Sequence, residues 1–510
     1  MTSTNTMKKS NLSMYDRQNR TYGTEATKTL TSSTVIVIGL KGGLATESCK
    51  NLILSGVQNI ILIKDGNVNH LDVVSGFYYT EEDIGKERHI VLSEKLSELN
   101  PYCTITSNNM DDTNFSDKTV IVHNIPLSET IAIDKKCSEN NAKLVWVTTK
   151  GVAGFVFVNA GPNHFTTDAT GENIEPVQIA SISEDGIVVC AQHNSHDFQS
   201  GDTINFTNLS GENLEFLDRE WIVSVDNKFK FKLNDFESTE FNLVNGTANI
   251  IKKPSSIVHK SLVEQIDNLD IVGFNTDYDK QVITNLLNEN KPPSSCWNTE
   301  METLLSQVED FKIKKIIRSF PVELTPVVSV IGSFGAMEVI KLITNKFTPI
   351  TQWLSYSDPE IVPDIKPTNL SEKGIGMLFG RDVESTISKS NWLMVGCGAI
   401  GCEMLKNLAK INLTTESGTM FVTDPDHIEK SNLSRQFLFR NSHIGMSKSK
   451  TAINSIKSMN NQVNMIALEE KMCSDNQALT DKMLQELDGV INALDNIEAR
   501  RYMDEQCFRY

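Results

Sequence analysis

No two of the nine cysteines in this 510-residue chain form a C-x-x-C pair. They are scattered, from Cys49 and Cys103 to Cys473 and Cys507, so neither a zinc site nor a secreted disulfide framework is indicated. That pattern suits reduced, mostly buried thiols of an intracellular protein. The N-terminal MTSTNTMKKSNLS lacks the apolar stretch of a secretory signal, and no apolar run approaches 18 residues. Neither export nor a membrane is expected, and the expected location is cytoplasmic and nuclear. Positive charge is also short: 48 Lys and Arg against 65 Asp and Glu leave a net charge of −17, which argues against nucleic acid as a partner. The length allows three to four domains and 39% apolar residues suffice to build their cores.

What the chain does have is a strong local pattern between Asn391 and Arg435. An apolar strand, Trp392–Val395, runs into Gly396-x-Gly398-x-x-Gly401. A helix follows, with apolar positions at Ile400, Met404, Leu405 and Leu408, then a second strand ending in Asp424-Pro425-Asp426. With 28 glycines in the chain, such a triplet arises by chance about 0.08 times. Its place between a strand and a helix, with an acid about 30 residues on, gives it meaning: backbone N–H groups can approach a phosphate at a helix N-terminus.

The same pattern occurs earlier. Thr34–Ile38, then Gly39-Leu40-Lys41-Gly42-Gly43, a helix, and a strand ending at Asp65-Gly66 repeat it, and residues 77–101 match 437–461. The chain therefore contains two copies of one α/β unit. Aligned on Glu47 and Asn51 against Glu403 and Asn407, Gly396 falls opposite Leu40 and Gly401 opposite Ala45. Arg435 faces Ser75, Lys448 faces Arg88, and Asp495 faces Ile125, with Asn124 beside it. On this alignment the first copy loses two of three glycines, a cation and an acid, so it is expected to be a structural pseudo-site.

Between the copies the composition changes. Residues 172–254 alternate apolar and polar, with a hairpin turn expected at Asp226-Asn227, which implies a small inserted β-domain. Residues 255–322 carry four short helical patterns broken at Pro292-Pro293, and Pro326–Asn345 reads as a long core helix, too polar at its end to span a membrane. The expected organisation is a disordered tail at 1–13, the first α/β unit at 14–171, the β-insert at 172–254 and the helical region at 255–322. The first unit then returns at 323–357, a connector occupies 358–374, and the second unit runs from 375 to 510.

In the second copy, Asp426 at a strand end suits a ribose. Arg435 and Lys448 suit phosphate oxygens. Asn432 and Gln436 can donate to phosphate, and Asp495, at the end of the last strand, can hold Mg2+ through a carboxylate oxygen. Two cations, a helix N-terminus and a metal-binding acid on one rim suit displacement at phosphorus. Hydride transfer from a nicotinamide has less use for them. Each residue taken singly is also an ordinary cap, loop residue or surface cation.

The motifs resemble, in order and over nearly the whole chain, those of the ubiquitin-activating enzymes: YDRQ, IGLKGG, FYYTEEDIGKER, GDTINF, TPVVSVIGSFGAMEVIK, ITQWL, VGCGAIGCE, IEKSNLSRQFLFR and ALDN. The resemblance implies two Rossmann-like, ThiF/MoeB-type adenylation units, the first inactive and the second active but C-terminally truncated, with an inserted β half-domain and a four-helix region. It implies that ubiquitin's C-terminal carboxylate attacks the ATP α-phosphate. Gly396, Gly398 and Gly401 then line the ATP site, Asp426 binds ribose, Asn432, Arg435, Gln436 and Lys448 contact phosphates, and Asp495 holds Mg2+. Arg17, in YDRQ, would reach the phosphates from the inactive half, a role implied by the resemblance alone. A ubiquitin-conjugating enzyme would be the partner of a full-length relative. Two positions depart from the family: Cys397 stands where Ala is usual, and Lys450 where an acid is common. None of the nine cysteines fits the family's thioester-forming nucleophile, so a thioester step is not expected of this chain. The alternative is a non-catalytic relative that binds ubiquitin or nucleotide, or pairs with another chain.

Overall fold

The computed structural model describes residues 15–510 except 172–173, 193, 238–239, 272–275, 289–292, 373 and 474–479, and except the side chains of Arg17 and Thr276. The expected tail at 1–13 and Pro292 therefore lie outside the described residues. The chain divides into two compact units. The larger takes in both repeats; the smaller comprises His164–Ile257 and Asn345–Thr348.

In the larger unit, β1 (Thr34–Ile38), β2 (Asn59–Ile63), β3 (Thr104–Asn108), β4 (Thr119–His123), β5 (Lys143–Lys150) and β6 (Ala153–Asn159) lie in one sheet. A strand from much later in the chain, Trp353–Ser357, pairs antiparallel with β6 and closes its edge. The order from that edge is β6-β5-β4-β1-β2-β3, with the first five strands from β1 to β5 parallel and β6 antiparallel to β5. Runs such as TVIVI and TVIVH are buried almost throughout, as parallel strands covered on both faces must be.

The smaller unit holds a closed six-stranded barrel and a two-stranded sheet of His164–Thr166 with Ser255–Ile257. The barrel strands follow the expected alternation: Phe231 and Leu233 point into the core while Lys230 and Lys232 face out. The hairpin turn falls two residues later than its sequence suggested. Asn227 still pairs with Lys230, so the turn is Lys228-Phe229, stabilised by the Phe229 N–H donating to Asn227 Oδ1 at 2.9 Å. A register irregularity between Val225 and Asn227 takes up one of the two residues read as the turn, Asp226, and the other, Asn227, stays paired in the strand.

The second repeat forms a four-stranded parallel sheet of Trp392–Val395, Met420–Thr423, Met465–Leu468 and Gly489–Asn492. The strand Trp392–Val395 pairs with both Met420–Thr423 and Gly489–Asn492, just as β1 pairs with both β2 and β4. The two sheets thus share strand order and direction, and the internal repeat is structural.

Three helices set the relation between the repeats: α1 (Gly43–Leu54), α2 (Thr325–Thr344) and α3 (Ala399–Lys410). All of α1 except Asn51 is buried, charged residues included. By length and composition α2 does pass the test for a membrane span, with a mean hydropathy of 1.7 over its most apolar window. It lies instead against α1, where Ser48 Oγ donates to the Gly332 carbonyl at 3.0 Å. Further hydrogen bonds join it to both repeats: Asn51 Nδ2 donates to Ser333 Oγ at 3.0 Å, and Ser329 Oγ donates to Asn407 Oδ1 at 2.8 Å. On α3 the buried face is Cys402, Leu405, Lys406 and Ala409, whereas Ile400 is 64% exposed. Its apolar positions are therefore not one continuous core stripe, because α3 buries against the first repeat rather than only its own sheet.

Candidate functional site

The C-terminal ends of the second repeat's strands frame a cleft of ≈850 Å³. Such a crevice, beside a glycine-rich turn, is where open α/β sheets bind ligands. It is lined by Gly396, Gly398, Asp426, Asn432, Arg435, Gln436, Lys448 and Asp495. These eight residues come from segments about 100 positions apart in sequence, and the fold brings them to one rim.

Each glycine has a different reason to be there. Gly396 ends its strand at φ +97°, and a Cβ there would sit 2.6 Å from the Ala493 carbonyl oxygen. Gly398 is the N-cap of α3 in an extended conformation, and a Cβ would meet nothing within 4 Å. The space above it is open cleft. Gly401 does not line the cleft: a Cβ would lie 2.1 Å from the Gly396 carbonyl oxygen, so its role is to let α3 pack against the turn. Gly401→Ala is expected to displace the turn and weaken nucleotide binding by about tenfold or more, with the circular dichroism spectrum retained; calorimetric titration with ATP checks this.

The polar residues are held as follows. Lys448 opens the helix Lys448–Lys457 and its Nζ donates to Asp426 Oδ2 at 2.7 Å, so two of the residues expected to bind ligand are paired with each other. Asn432 Oδ1 accepts the Glu429 N–H at 2.9 Å, and Arg435 Nη1 donates to the Ser431 carbonyl at 2.7 Å. Gln436 is 3% exposed, and among the described residues no donor reaches its buried Oε1. Asp495 is exposed on the rim after Gly489–Asn492. Arg17 lies in the helix Asp16–Tyr22, and its side chain is outside the described residues. Among the described residues no group of three or more His, Cys, Asp or Glu forms a metal cage. Mg2+ held by one carboxylate and substrate phosphates needs none, so Asp495 fits that role.

Sequence reasoning did not find Lys471 or Arg500, two further cations on the rim. Arg500 follows Asp495 by little more than one helical turn and its Nε donates to the Leu494 carbonyl at 2.7 Å, a spacing that could have signalled it. Asp424 is local structure: its carboxylate accepts the Cys397 N–H at 2.7 Å and the Asp426 N–H at 2.9 Å, pinning the turn, and burial raises its pKa. Burial also pushes the Cys397 thiol well up, which makes it an unreactive space-filler. Lys450 is ion-paired with Glu469.

The first repeat shows what the same site becomes when closed. The strand registers place Gly39, not Leu40, opposite Gly396: Ile38 pairs with Val122 where Val395 pairs with Asn492. Gly39 also has a positive φ, +81°. The first copy keeps two of the glycines, Gly39 and Gly42, and its turn is one residue longer, which gives Ala45 the room Gly401 lacks. The alignment on the helices alone missed that insertion. Bridges between Asn67 and Glu87 and between His427 and Ser447 support the pairings of Ser75 with Arg435 and Arg88 with Lys448, and by the same spacing put Asp72 opposite Asn432.

In that longer turn the Gly42 N–H donates to Asp72 Oδ1 at 2.7 Å and the Gly43 N–H donates to Ser75 Oγ at 3.0 Å. Arg88 Nε in turn donates to Asp72 Oδ2 at 2.9 Å. An internal carboxylate thus occupies the donors that an anion would use, with a cation behind it. Asp426 has become Gly66, as the equivalent bonds from Arg88 N and Lys448 N show.

Glu323 is packed against the same turn, and burial, with Asp72 nearby, raises its pKa to about 7. A carboxyl raised in the folded state favours folding fully below its ordinary range near 4.5 and loses that contribution as pH rises through about 7. Glu323→Gln is therefore expected to raise the melting temperature at pH 8 and leave it unchanged at pH 4; melts at about these two pH values check the sign.

The model of the ThiF family matches residues 15–369 and, again, 370–510. The chain belongs to the ThiF family. Among curated proteins, this ThiF-family chain is 32% identical over 541 residues to human ubiquitin-like modifier-activating enzyme 1, covering 98% of this chain and 51% of that one. It is 32% identical over 537 residues to the Dictyostelium discoideum protein of the same name and 31% identical over 534 residues to Schizosaccharomyces pombe ubiquitin-activating enzyme E1 1. The chain spans about half the length of these relatives. Among solved structures, E. coli MccB is similar over 68% of each chain at 12% identity, with a TM-score of 0.33.

Proposed function

We propose that the second repeat binds Mg·ATP and that the chain adenylates the C-terminal carboxylate of ubiquitin or a close ubiquitin-like modifier. The observation that carries this is the contrast between repeats. One glycine turn opens onto a cleft with eight of the expected residues on its rim, while the other is filled by its own Asp72 and Ser75. The names of the similar enzymes support the choice of substrate.

In this reading the Gly398 turn and the α3 N-terminus receive phosphate oxygens. Asp426 takes the ribose hydroxyls, exchanging its bond to Lys448 for them and freeing that ammonium for phosphate. Arg435 supplies a planar pair of donors, and Asn432 and Gln436 add neutral ones. Asp495 holds Mg2+, which when bound neutralises phosphate charge as pyrophosphate leaves. The modifier's carboxylate oxygen bonds to the α-phosphorus as the bond to pyrophosphate breaks. Arg17 contributes from the first repeat. The setting is the cytoplasm and nucleus, and in a longer relative a ubiquitin-conjugating enzyme takes the product onward.

The decisive experiment is ATP–pyrophosphate exchange by the 510-residue chain. Label is expected to enter ATP only with Mg2+ and ubiquitin both present. ATP binding without exchange would instead support the non-catalytic binding relative, and absence of both would reject the nucleotide site.

A further inference from the structure

Four charged side chains meet where α1 of the first repeat crosses α3 of the second. Lys50 Nζ donates to Glu47 Oε1 at 2.6 Å and to Glu403 Oε1. Lys406 Nζ donates to Glu47 Oε2 at 2.5 Å and to Glu403 Oε2 at 2.8 Å. Each ammonium bridges both carboxylates, and each carboxylate uses both oxygens. The lysine side chains are 0% exposed, Glu47 is 2% exposed and Glu403 is 35% exposed. The box has internal two-fold symmetry, because Glu47-x-x-Lys50 and Glu403-x-x-Lys406 are the same motif in the two copies. Two equivalent phenylalanines cover it. Lys50 Nζ lies 4.6 Å from the Phe437 ring centroid, Lys406 Nζ lies 4.9 Å from that of Phe77, and the two rings are 5.7 Å apart.

Holding two helices together does not require charge. A closed ring of buried ions is no more favourable than well-packed apolar residues of the same volume. What the ring adds is register. Only one axial alignment of α1 on α3 puts each ammonium between two carboxylates, and a slip of one turn would strand buried charge.

The second-repeat partners of Lys50 are joined directly to the cleft. Glu403 is one helical turn beyond Ala399, which follows the Gly398 N-cap, and both Ala399 and Gly398 line the cleft. Phe437 follows Arg435 and Gln436 without a break, and these also line it. We propose that Lys50 and Glu47, which belong to the repeat whose own turn is closed, are positioning residues for the nucleotide cleft of the other repeat. Lys50, held in place by Glu47, fixes the α3 N-terminus and the Arg435–Gln436 segment relative to one another through Glu403 and Phe437. This rests on the nucleotide reading above, and it gives the first repeat a part in that reaction beyond packing.

Position and stability are separated by a double variant and a quadruple one. The pair Lys50→Met with Glu403→Gln keeps the box neutral and leaves the Glu47–Lys406 pair across the helices, but removes the link from Lys50 to Glu403 and to the Phe437 ring. It is expected to melt near the parent, to bind Mg·ATP about tenfold more weakly by calorimetric titration, and to show about tenfold faster amide exchange at 396–402 and 435–438 with 34–38 unchanged. A full charge exchange, Glu47→Lys, Lys50→Glu, Glu403→Lys and Lys406→Glu, keeps all four contacts of the box attractive and is expected to match the parent in both readouts. The exchange readout stands whether or not the parent binds ATP, so loss of the nucleotide reading and loss of the clamp are told apart. The clamp is rejected if the neutral pair exchanges at the parent rate in both segments, or if the charge-exchanged protein behaves no better than the neutral pair.

Discussion

Lys406→Met is expected to destabilise the larger unit by about 3–5 kcal/mol, on the order of 10 °C in its melting temperature. Lys406 is fully buried and neutralises one oxygen on each of Glu47 and Glu403. Without it, two carboxylates share a single ammonium, and Glu47 at 2% exposure has no solvent to replace the lost partner. An uncompensated buried charge is among the few single changes with an effect this large. Removing Glu47's charge in the same molecule, as Lys406→Met with Glu47→Gln, leaves the Lys50–Glu403 pair intact and is expected to recover most of the loss. A single mutant that melts within about 1 °C of the parent would show that the box does not carry this energy.

The same box sets an acid dependence. Burial acts to raise the Glu47 pKa, but Lys406 and Lys50 outweigh it and hold it at about 2. A carboxyl depressed by folding contributes its full stability above its ordinary range near 4.5, and that contribution is lost as pH falls through about 2. The parent is therefore expected to keep most of this contribution at about pH 4, and melting curves at about pH 4 and pH 7 should diverge more in Lys406→Met than in the parent.

The second large effect is expected at Asp495. Asp495→Ala should weaken Mg·ATP binding on the order of 100-fold and leave the fold intact, since the side chain is exposed. The first repeat supplies the control. Ile125 stands opposite Asp495, and the neighbouring Asn124 serves the local backbone, where at φ +48° its Oδ1 accepts the Thr149 N–H at 2.9 Å. Asn124→Ala is expected to cost some stability through backbone strain and to leave nucleotide affinity within about twofold. Titrations with Mg2+ and with EDTA locate the effect. Parent and Asp495→Ala should bind ATP alike once the metal is removed. A mutant that binds Mg·ATP like the parent would remove Asp495 from the site.

The sequence by itself determined the elements and their repetition. Strands such as TVIVI and WLMV are uniform apolar runs, and the glycine turns and their acids follow within about 30 residues, so local chemistry is enough to read them. It also named most of the cleft, because strand ends and helix starts in a parallel α/β unit converge at one edge whatever the neighbouring domains do. What it did not determine are the contacts made between distant segments. Lys50 and Lys406 look like ordinary solvated helix lysines until the fold sets them against carboxylates more than 350 positions away. Ile400 has the spacing of a core residue, yet it lies on the cleft, because the buried face of α3 is chosen by the first repeat. The extra residue after Gly39 is invisible to an alignment on the helices and appears only in the strand register. That residue and Asp72 decide which of two similar turns is closed. Periodicity reports which face of an element is apolar; only tertiary packing decides what that face, or a charge within it, is placed against.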